Sequence, residues 1–205
     1  MGLLANKKRA KSFYKFFSKF YDRVNPILYS KEMRKLLVSM AEVKPNNVVL
    51  EVGCGTGYTT YEIVKIVGCE KTFALDLTSE QIKIAVKKFR SVNFIRGDAE
   101  LLPFKSSSFD VVISAGSIEY WPNPYKGVKE MVRVTKKNGR IAVLGPRMPD
   151  NLFLRLIAPR VMHFFSTKQY IELFEKVGLK DIKYLEIGPH PVLKKLAVIV
   201  SGKVA

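Results

Sequence analysis

The chain has 205 residues, of which 47% are hydrophobic and 26% charged, enough apolar residues for the buried core of one domain. Its two cysteines exclude a disulfide framework and a four-cysteine zinc site, and they favour a reducing, cytoplasmic compartment. No run of about 18 uncharged apolar residues is present, so no membrane-spanning helix is expected. Lys and Arg outnumber Asp and Glu by 35 to 18, a net charge of +17.

The first part of the chain is basic and aromatic. Residues 1–35 hold ten Lys or Arg against two acidic residues, and residues 7–23 place aromatic side chains at helical spacing between lysines. A second helix is predicted over 30–41. Such a segment favours an anionic surface, either nucleic acid or the acidic face of a bilayer, although a solvated helix has the same composition. We expect 1–44 to be a helical segment that forms a lid or a membrane contact.

From residue 45 onward, strand and helix patterns alternate. Strands are predicted at 48–52, 71–77, 92–96, 110–114 and 139–144, with helices at 58–67, 78–90 and 123–135. A helix over 167–177 then precedes a closing hairpin of strands at 182–187 and 196–200. The sequence therefore predicts an α/β domain over 45–205: a doubly wound, seven-stranded, mostly parallel sheet with its last strand antiparallel, and extra N-terminal helices.

The sharpest local motif is VVLEVGCGTGYTT, residues 48–60, in which Gly53, Gly55 and Gly57 follow a strand and open a helix. Glycines here let the backbone turn tightly and approach a ligand. The third glycine falls one residue early for a dinucleotide loop, and Tyr58 stands where that pattern has glycine. Glu51 would repel a pyrophosphate but suits a cationic ligand, such as a sulfonium cofactor with its amino group.

Two further carboxylates follow the next strands. Asp76 ends the second strand, where an acidic group in such folds accepts hydrogen bonds from ribose hydroxyls. Asp98 and the small Ala99 follow the third strand, where they suit an adenine amino group and its ring. Leu77 and Ser114, at the ends of the second and fourth strands, complete the candidate cofactor site. All these residues fall at the carboxyl ends of strands, where open α/β sheets bind ligands.

In this order, the motifs resemble those of class I S-adenosylmethionine-dependent methyltransferases. The resemblance covers residues 46–146 through LEVGCGTG, ALDLT, GDAELLPF, FDVVIS and GRIAVLGP. A narrower resemblance, to the plant 2-methyl-6-phytyl-1,4-benzoquinol methyltransferases, lies in residues 114–134, 144–149, 170–183 and 187–189, and also in 13–26 and 31–34. It implies S-adenosylmethionine as cofactor and C-methylation of a prenylated hydroquinone. This chain stops without the hydrophobic anchor of the plant enzymes, so the basic segment 1–35 is expected to contact the membrane, at its inner face.

The resemblance implies a catalytic group after the fourth strand. Ring methylation requires a carbon made nucleophilic by loss of the neighbouring hydroxyl proton. Glu119 is the candidate base, Tyr120 lies beside it over the methyl site, and Trp121 is placed to stack on the ring. Arg147 is a candidate to steady the phenolate. The apolar residues of 152–165 are expected either to form a mobile cover and a prenyl groove or to pack on the sheet. His163 is a weaker candidate base, and His190, between two prolines, is expected to be a rigid turn residue. No metal is expected.

Two other functions stay open. The charge of +17 allows an RNA methyltransferase, but residues 114–120 lack the N-P-P-[FY] motif of base-modifying enzymes, and neither cysteine fits a cytosine nucleophile. We therefore do not expect nucleic acid as the partner. The second alternative is a non-catalytic protein that binds S-adenosylmethionine, and the intact acidic motifs argue against it.

Overall fold

The computed structural model describes residues 28–149, 163–188 and 195–205. The basic aromatic helix expected within 7–23, nearly all of the apolar cover over 152–165, and His190 lie outside these residues. The helices are α1 (Lys31–Met40), α2 (Tyr58–Val67), α3 (Ser79–Lys88), α4 (Pro124–Val134) and α5 (Thr167–Lys176), with a 3-10 helix at Ile118–Tyr120. The strands are β1 (Val49–Val52), β2 (Thr72–Asp76), β3 (Asn93–Arg96), β4 (Phe109–Ala115), β5 (Thr135–Pro146), β6 (Lys180–Ile187) and β7 (Ala197–Lys203).

The seven strands form one sheet in the order β3-β2-β1-β4-β5-β7-β6. Neighbours from β3 to β5 are parallel, and β7 runs antiparallel to both β5 and β6. The predicted seven-stranded sheet with an antiparallel last strand is therefore confirmed. The fifth strand is longer than the predicted 139–144 at both ends. It begins at Thr135, which pairs with Phe109 of β4, and it runs on to Pro146 because β7 pairs with its last residues.

Buried apolar residues cover both faces of the sheet, as a doubly wound fold requires. On one face, Met33 and Leu37 of α1 pack with Val49, Ile113 and Leu144. On the other face, α4 and α5 contribute to a core whose members include Leu50, Val112, Met131, Tyr170 and Phe174. The described part of the N-terminal segment, 28–44, thus belongs to the packed core through α1. No helix within the described ranges is long and apolar enough to cross a membrane.

Close packing at the end of β5 depends on Gly145. A Cβ built there would overlap the hydroxyl group of Tyr170 and lie 3.0 Å from Cγ2 of Ile118. Both neighbours are fully buried, so neither has room to move away.

We expect Gly145→Ala to lower the free energy of unfolding by about 1–3 kcal/mol through overpacking. Urea unfolding measures this cost. In a Tyr170→Phe background the overlapping hydroxyl is absent, so the same substitution should cost less. An equal cost in both backgrounds would show that Tyr170 is not the source of the clash.

Candidate active site

The glycine loop after β1 is held to the end of β2 by hydrogen bonds. Gly53, Gly55 and Gly57 have φ angles of +77°, +53° and +89°, the left-handed region that favours glycine. The amides of Gly53 and Cys54 both donate to the carbonyl of Leu75, at 2.8 and 2.9 Å. The predicted tight turn therefore exists, and it is fixed against the neighbouring strand.

Asp76 completes this link with its side chain. Its Oδ2 accepts from the amide of Gly55 at 2.9 Å, and its Oδ1 accepts from the amide and the hydroxyl of Thr78 at 2.9 and 2.8 Å. Because a carboxylate oxygen accepts about two hydrogen bonds, Oδ1 is filled and Oδ2 keeps one site for a ligand. Desolvation raises the pKa of this carboxyl group, and the hydrogen bonds from Thr78 and Gly55 oppose that rise.

Glu51 and Arg34 place a buried carboxyl group and a buried guanidinium group at one end of the site. Glu51 is 1% exposed and accepts a hydrogen bond from the hydroxyl of Thr60. Burial raises the pKa of Glu51 to about 8, against the effects of that hydrogen bond and of the positive charge of Arg34. Arg34, from α1, is 4% exposed, and its guanidinium carbon lies 5.2 Å from the ring centroid of Tyr58.

One cavity opens at the carboxyl ends of β1, β2, β3 and β4, and it joins most of the predicted cofactor residues. Those lining it are Glu51, Gly53, Gly55, Asp76, Leu77, Asp98 and Ala99, together with Tyr120 and Trp121 from the predicted acceptor side. Asp98 also accepts, through Oδ1, from the amide of Glu100 at 2.9 Å, which fixes the loop after β3.

Two predicted cofactor residues lie outside the lining of this cavity. Gly57 caps α2, and a Cβ there would lie 3.0 Å from the ring of Phe89, so its role is the close approach of loop and α3. Ser114 is fully buried within β4, where its hydroxyl has no hydrogen-bond partner among the described residues.

Glu119 lies behind the cavity wall formed by its neighbours Ser117 and Tyr120. The residue is 1% exposed, and its Oε1 accepts from the hydroxyl of Tyr29 at 2.8 Å. Within the described part of the chain Oε2 has no partner. Burial raises the pKa of this carboxyl group to about 7, and the Tyr29 hydrogen bond acts in the opposite direction.

Arg147 directly follows β5 and does not line the cavity. Its Nε donates to Oε1 of Glu186 at 3.0 Å and to the hydroxyl of Thr167 at 3.2 Å, and its Nη1 donates to the carbonyl of Lys195. These contacts tie the end of β5 to β6, and a contact between Arg147 and the acceptor stays a prediction.

Several cavity residues escaped the sequence analysis. They are Arg34, Tyr58, Thr59, Thr78, Gln81 and Ser117. Gln81 is 3% exposed, and its Oε1 has no hydrogen-bond partner among the residues described, so a buried acceptor lines the cavity. The position of Gln81 in the first turn of the helix after Asp76 was the available signal. For Arg34 the available signal was residues 31–34, which are part of the resemblance to the plant methyltransferases.

The comparison with known families supplies the class of this domain. Residues 50–143 match the family described as "Methyltransferase domain". The chain contains a methyltransferase domain. It is 42% identical over 190 residues to 2-methyl-6-phytyl-1,4-hydroquinone methyltransferase 1 of Oryza sativa subsp. japonica, covering 91% of this chain and 58% of that protein. It is 30% identical over 152 residues to a demethylmenaquinone methyltransferase of Chlorobaculum tepidum, covering 70% of this chain and 61% of the other.

The fold has close counterparts among solved structures. A methyltransferase from Thermotoga maritima, described as a possible histamine N-methyltransferase, superposes with a TM-score of 0.77 at 22% identity. That match covers 96% of this chain and all of the other. The chain spans little more than half the length of the rice hydroquinone methyltransferase.

The donor set of the cavity fits S-adenosylmethionine, the cofactor implied by the fold. Glu51 and Arg34 offer one negative and one positive group to an amino-acid end, and Asp76 keeps an acceptor site for a sugar hydroxyl. The buried oxygen of Gln81 has room for a ligand donor. In the described ranges no group of three or more His, Cys, Asp or Glu is placed to hold a metal.

We expect the stability of the protein to fall as the pH rises from about 4.5 to about 8. The pKa values of Glu51 and Glu119 are raised to about 8 and about 7, so the folded chain keeps protons that the unfolded chain has released. Glu119→Gln should reduce the loss of unfolding free energy between pH 5 and pH 8 by on the order of 2 kcal/mol.

Urea unfolding across this pH range measures the effect, with Glu172→Gln on the exposed face of α5 as the matched control. An unchanged pH dependence in Glu119→Gln would mean that this carboxyl group is ionised in the folded protein at neutral pH.

Proposed function

We propose that this chain is an S-adenosylmethionine-dependent C-methyltransferase acting on a small aromatic acceptor, a prenylated hydroquinone. The observation that carries the proposal is the 42% identity to a hydroquinone methyltransferase, which extends over 91% of this chain and thus far beyond residues 50–143. Similarity outside the shared domain includes α5, which carries Tyr170, a neighbour of Glu119.

The cofactor end of the cavity is assigned by charge and hydrogen-bonding capacity. Glu51 faces the amino group of the methionine part, and Arg34 faces its carboxylate. Asp76 accepts from the ribose through the free site on Oδ2, while Asp98 and Ala99 meet the adenine. Gln81 supplies a further buried acceptor beside the same groups.

The acceptor ring is placed at the opposite end, next to Tyr120 and Trp121. The indole of Trp121 is fixed in place, because its Nε1 donates to Oγ of Ser117 at 2.9 Å and its ring packs over Gly127. A rigid aromatic face orients an aromatic acceptor at little entropic cost. Close fit at this end favours transfer to a ring carbon held in one orientation.

The chemistry requires a proton acceptor and correct alignment. S-adenosylmethionine supplies an electrophilic methyl group when bound. Because Glu119 lies behind the cavity wall, it takes the proton of the acceptor hydroxyl through water, and a pKa of about 7 suits a base at neutral pH. The ring carbon next to that hydroxyl would then bond to the methyl carbon as the methyl–sulfur bond broke. Loss of the ring hydrogen to solvent as a proton would restore the aromatic ring, and the oxygen would regain its proton from Glu119.

A long prenyl tail places the acceptor in a membrane, so the enzyme must reach its surface. We propose that residues 1–35, with ten Lys or Arg against two acidic residues, contact an anionic bilayer from the cytoplasmic side. This peripheral contact presents the hydroquinone head to the cavity while the tail stays among lipids.

The deciding experiment incubates the full chain with methyl-labelled S-adenosylmethionine and candidate acceptors. We expect label in 2-methyl-6-phytyl-hydroquinone or demethylmenaquinol presented in liposomes, bonded to carbon by mass spectrometry. Asp76→Ala is the inactive control. Transfer to ribosomal or transfer RNA fragments and to no quinol would replace this function with the RNA methyltransferase alternative. Cofactor binding with no transfer to any acceptor would favour a non-catalytic binding protein.

The same assay tests the membrane contact. Deletion of residues 1–22 should lower activity on long-tailed acceptors in liposomes more than activity on a tail-free hydroquinone in solution, because only the first needs the bilayer. Liposome co-sedimentation should fall in parallel. Equal loss on both acceptors would refute the membrane contact but leave the chemistry intact.

Cofactor binding should release a proton. Because burial raises the pKa of Glu51 to about 8, its carboxyl group is mostly protonated at pH 7, and a cationic amino group beside it favours the ionised form. Titration calorimetry in two buffers of different ionisation enthalpy should show release of close to one proton at pH 7, and affinity that rises toward pH 8. Glu51→Gln should abolish most of the release. Wild-type binding without any proton release would remove Glu51 from this role.

A further inference from the structure

The carboxyl group of Glu119 is enclosed by two tyrosines from distant parts of the chain. Tyr29, just before α1, donates its hydroxyl to Oε1 of Glu119 at 2.8 Å across 90 residues of sequence. Tyr170 of α5 lies close enough that the charge of Glu119, after burial, raises the Tyr170 pKa. Tyr29 is 5% exposed and Tyr170 is fully buried, so all three side chains share one closed site.

Two glycines provide the room for these rings. A Cβ at Gly116, directly after β4, would lie 2.6 Å from the ring of Tyr29, and one at Gly145 in β5 would overlap the Tyr170 hydroxyl. Both glycines are at the carboxyl ends of adjacent parallel strands, and Gly116 lines the cavity. A side chain at either position would displace a tyrosine from Glu119.

The two hydroxyl groups have different partners. Tyr170 donates to the carbonyl of Pro146 at 3.2 Å, so its hydroxyl helps to fix the end of β5. Tyr29 donates to Glu119 and holds only Oε1. The second oxygen, Oε2, is buried without a partner in the described residues, and it is the atom left to accept a proton.

Tyr29 is also fixed at its backbone by the cofactor side of the site. Its carbonyl accepts from Nη1 of Arg34, the cationic residue that lines the cavity with Glu51. The backbone of Glu119 is held in turn by the amide of His163, which donates to its carbonyl at 2.8 Å. Tyr29 is therefore anchored at both ends, between the cavity and the carboxyl group.

We propose that Tyr29 is a positioning residue that fixes the Glu119 carboxyl group so that it receives the hydroxyl proton of the acceptor through water. The proposal rests on the function assigned above, in which Glu119 is the base. The O–H bond of the acceptor breaks, and its proton passes through a water molecule to the Glu119 carboxylate. Tyr29 itself neither gains nor loses a proton.

Tyr29→Phe keeps the ring over Gly116 and removes only the hydroxyl group. The titratable groups that face the Glu119 carboxyl group are Tyr29, from the segment before α1, and Tyr170, from α5. His163 contacts only the backbone carbonyl of Glu119, through its own backbone amide. Because the Tyr29 hydrogen bond favours the ionised carboxylate, the acidic limb of the kcat–pH profile should move upward by about half a pH unit or more. Turnover at pH 6 should fall about threefold or more, with KM for the acceptor unchanged.

Tyr170→Phe is the matched control, since it also loses a buried hydroxyl beside Glu119 but not a hydrogen bond to it. It should leave the limb in place. Replacement of Tyr29 by 3-fluorotyrosine, a stronger donor with the same ring, should move the limb downward. An unmoved limb in Tyr29→Phe, or an equal shift in Tyr170→Phe, would overturn the proposal.

A measurement without substrate separates this proposal from the proposed function. Titration of the 13C-labelled glutamate carboxyl groups by NMR, with Glu119 assigned from Glu119→Gln, should show the same upward shift in Tyr29→Phe. If no acceptor is methylated but this shift is found, the proposed function fails while the positioning contact stands. If methylation proceeds and the shift is absent, only the role of Tyr29 fails.

Discussion

The hydrogen bonds between the loop after β1 and the end of β2 determine the shape of the site. Gly53 and Cys54 donate to the carbonyl of Leu75, and Gly55 donates to the carboxylate of Asp76. These hydrogen bonds stabilise a loop in which three glycines have left-handed backbone conformations. Without them, glycine would also adopt many other conformations. Asp76 thus stabilises the loop, and in the proposed function it also binds the cofactor. A loss of binding on its substitution therefore measures both roles together.

Two acidic groups of this basic protein are buried, and their charge depends on their surroundings. The chain carries +17 overall, yet Glu51 and Glu119 are almost fully enclosed and their pKa values are raised toward neutrality. A positive group beside Glu51 favours its ionised form, whereas Glu119 has to be ionised before it can accept a proton. Burial of these two acids therefore makes their charge depend on ligand and on pH near neutrality.

The sequence was sufficient for features that are local. Strand and helix order, the glycine loop, and the acids after β2 and β3 follow from short apolar periods and from residues directly at strand ends. Features made by distant residues were not accessible in this way. Tyr29 meets Glu119 across 90 positions, and Arg34 reaches the cavity from α1. The length of β5 was underestimated because its last residues depend on pairing with β7.

The place of β7 in the sheet has a consequence for biosynthesis. β7 lies between β5 and β6, and β5 already pairs with β4 on its other side. The second edge of β5 therefore has no hydrogen-bonding partner until residues 197–203 have emerged from the ribosome. Strands β1 to β5 are synthesised before that point, so the nascent chain carries an unpaired apolar strand edge until β7 is available. Insertion of β7 between two strands that precede it in the chain is therefore expected to be a slow step of folding.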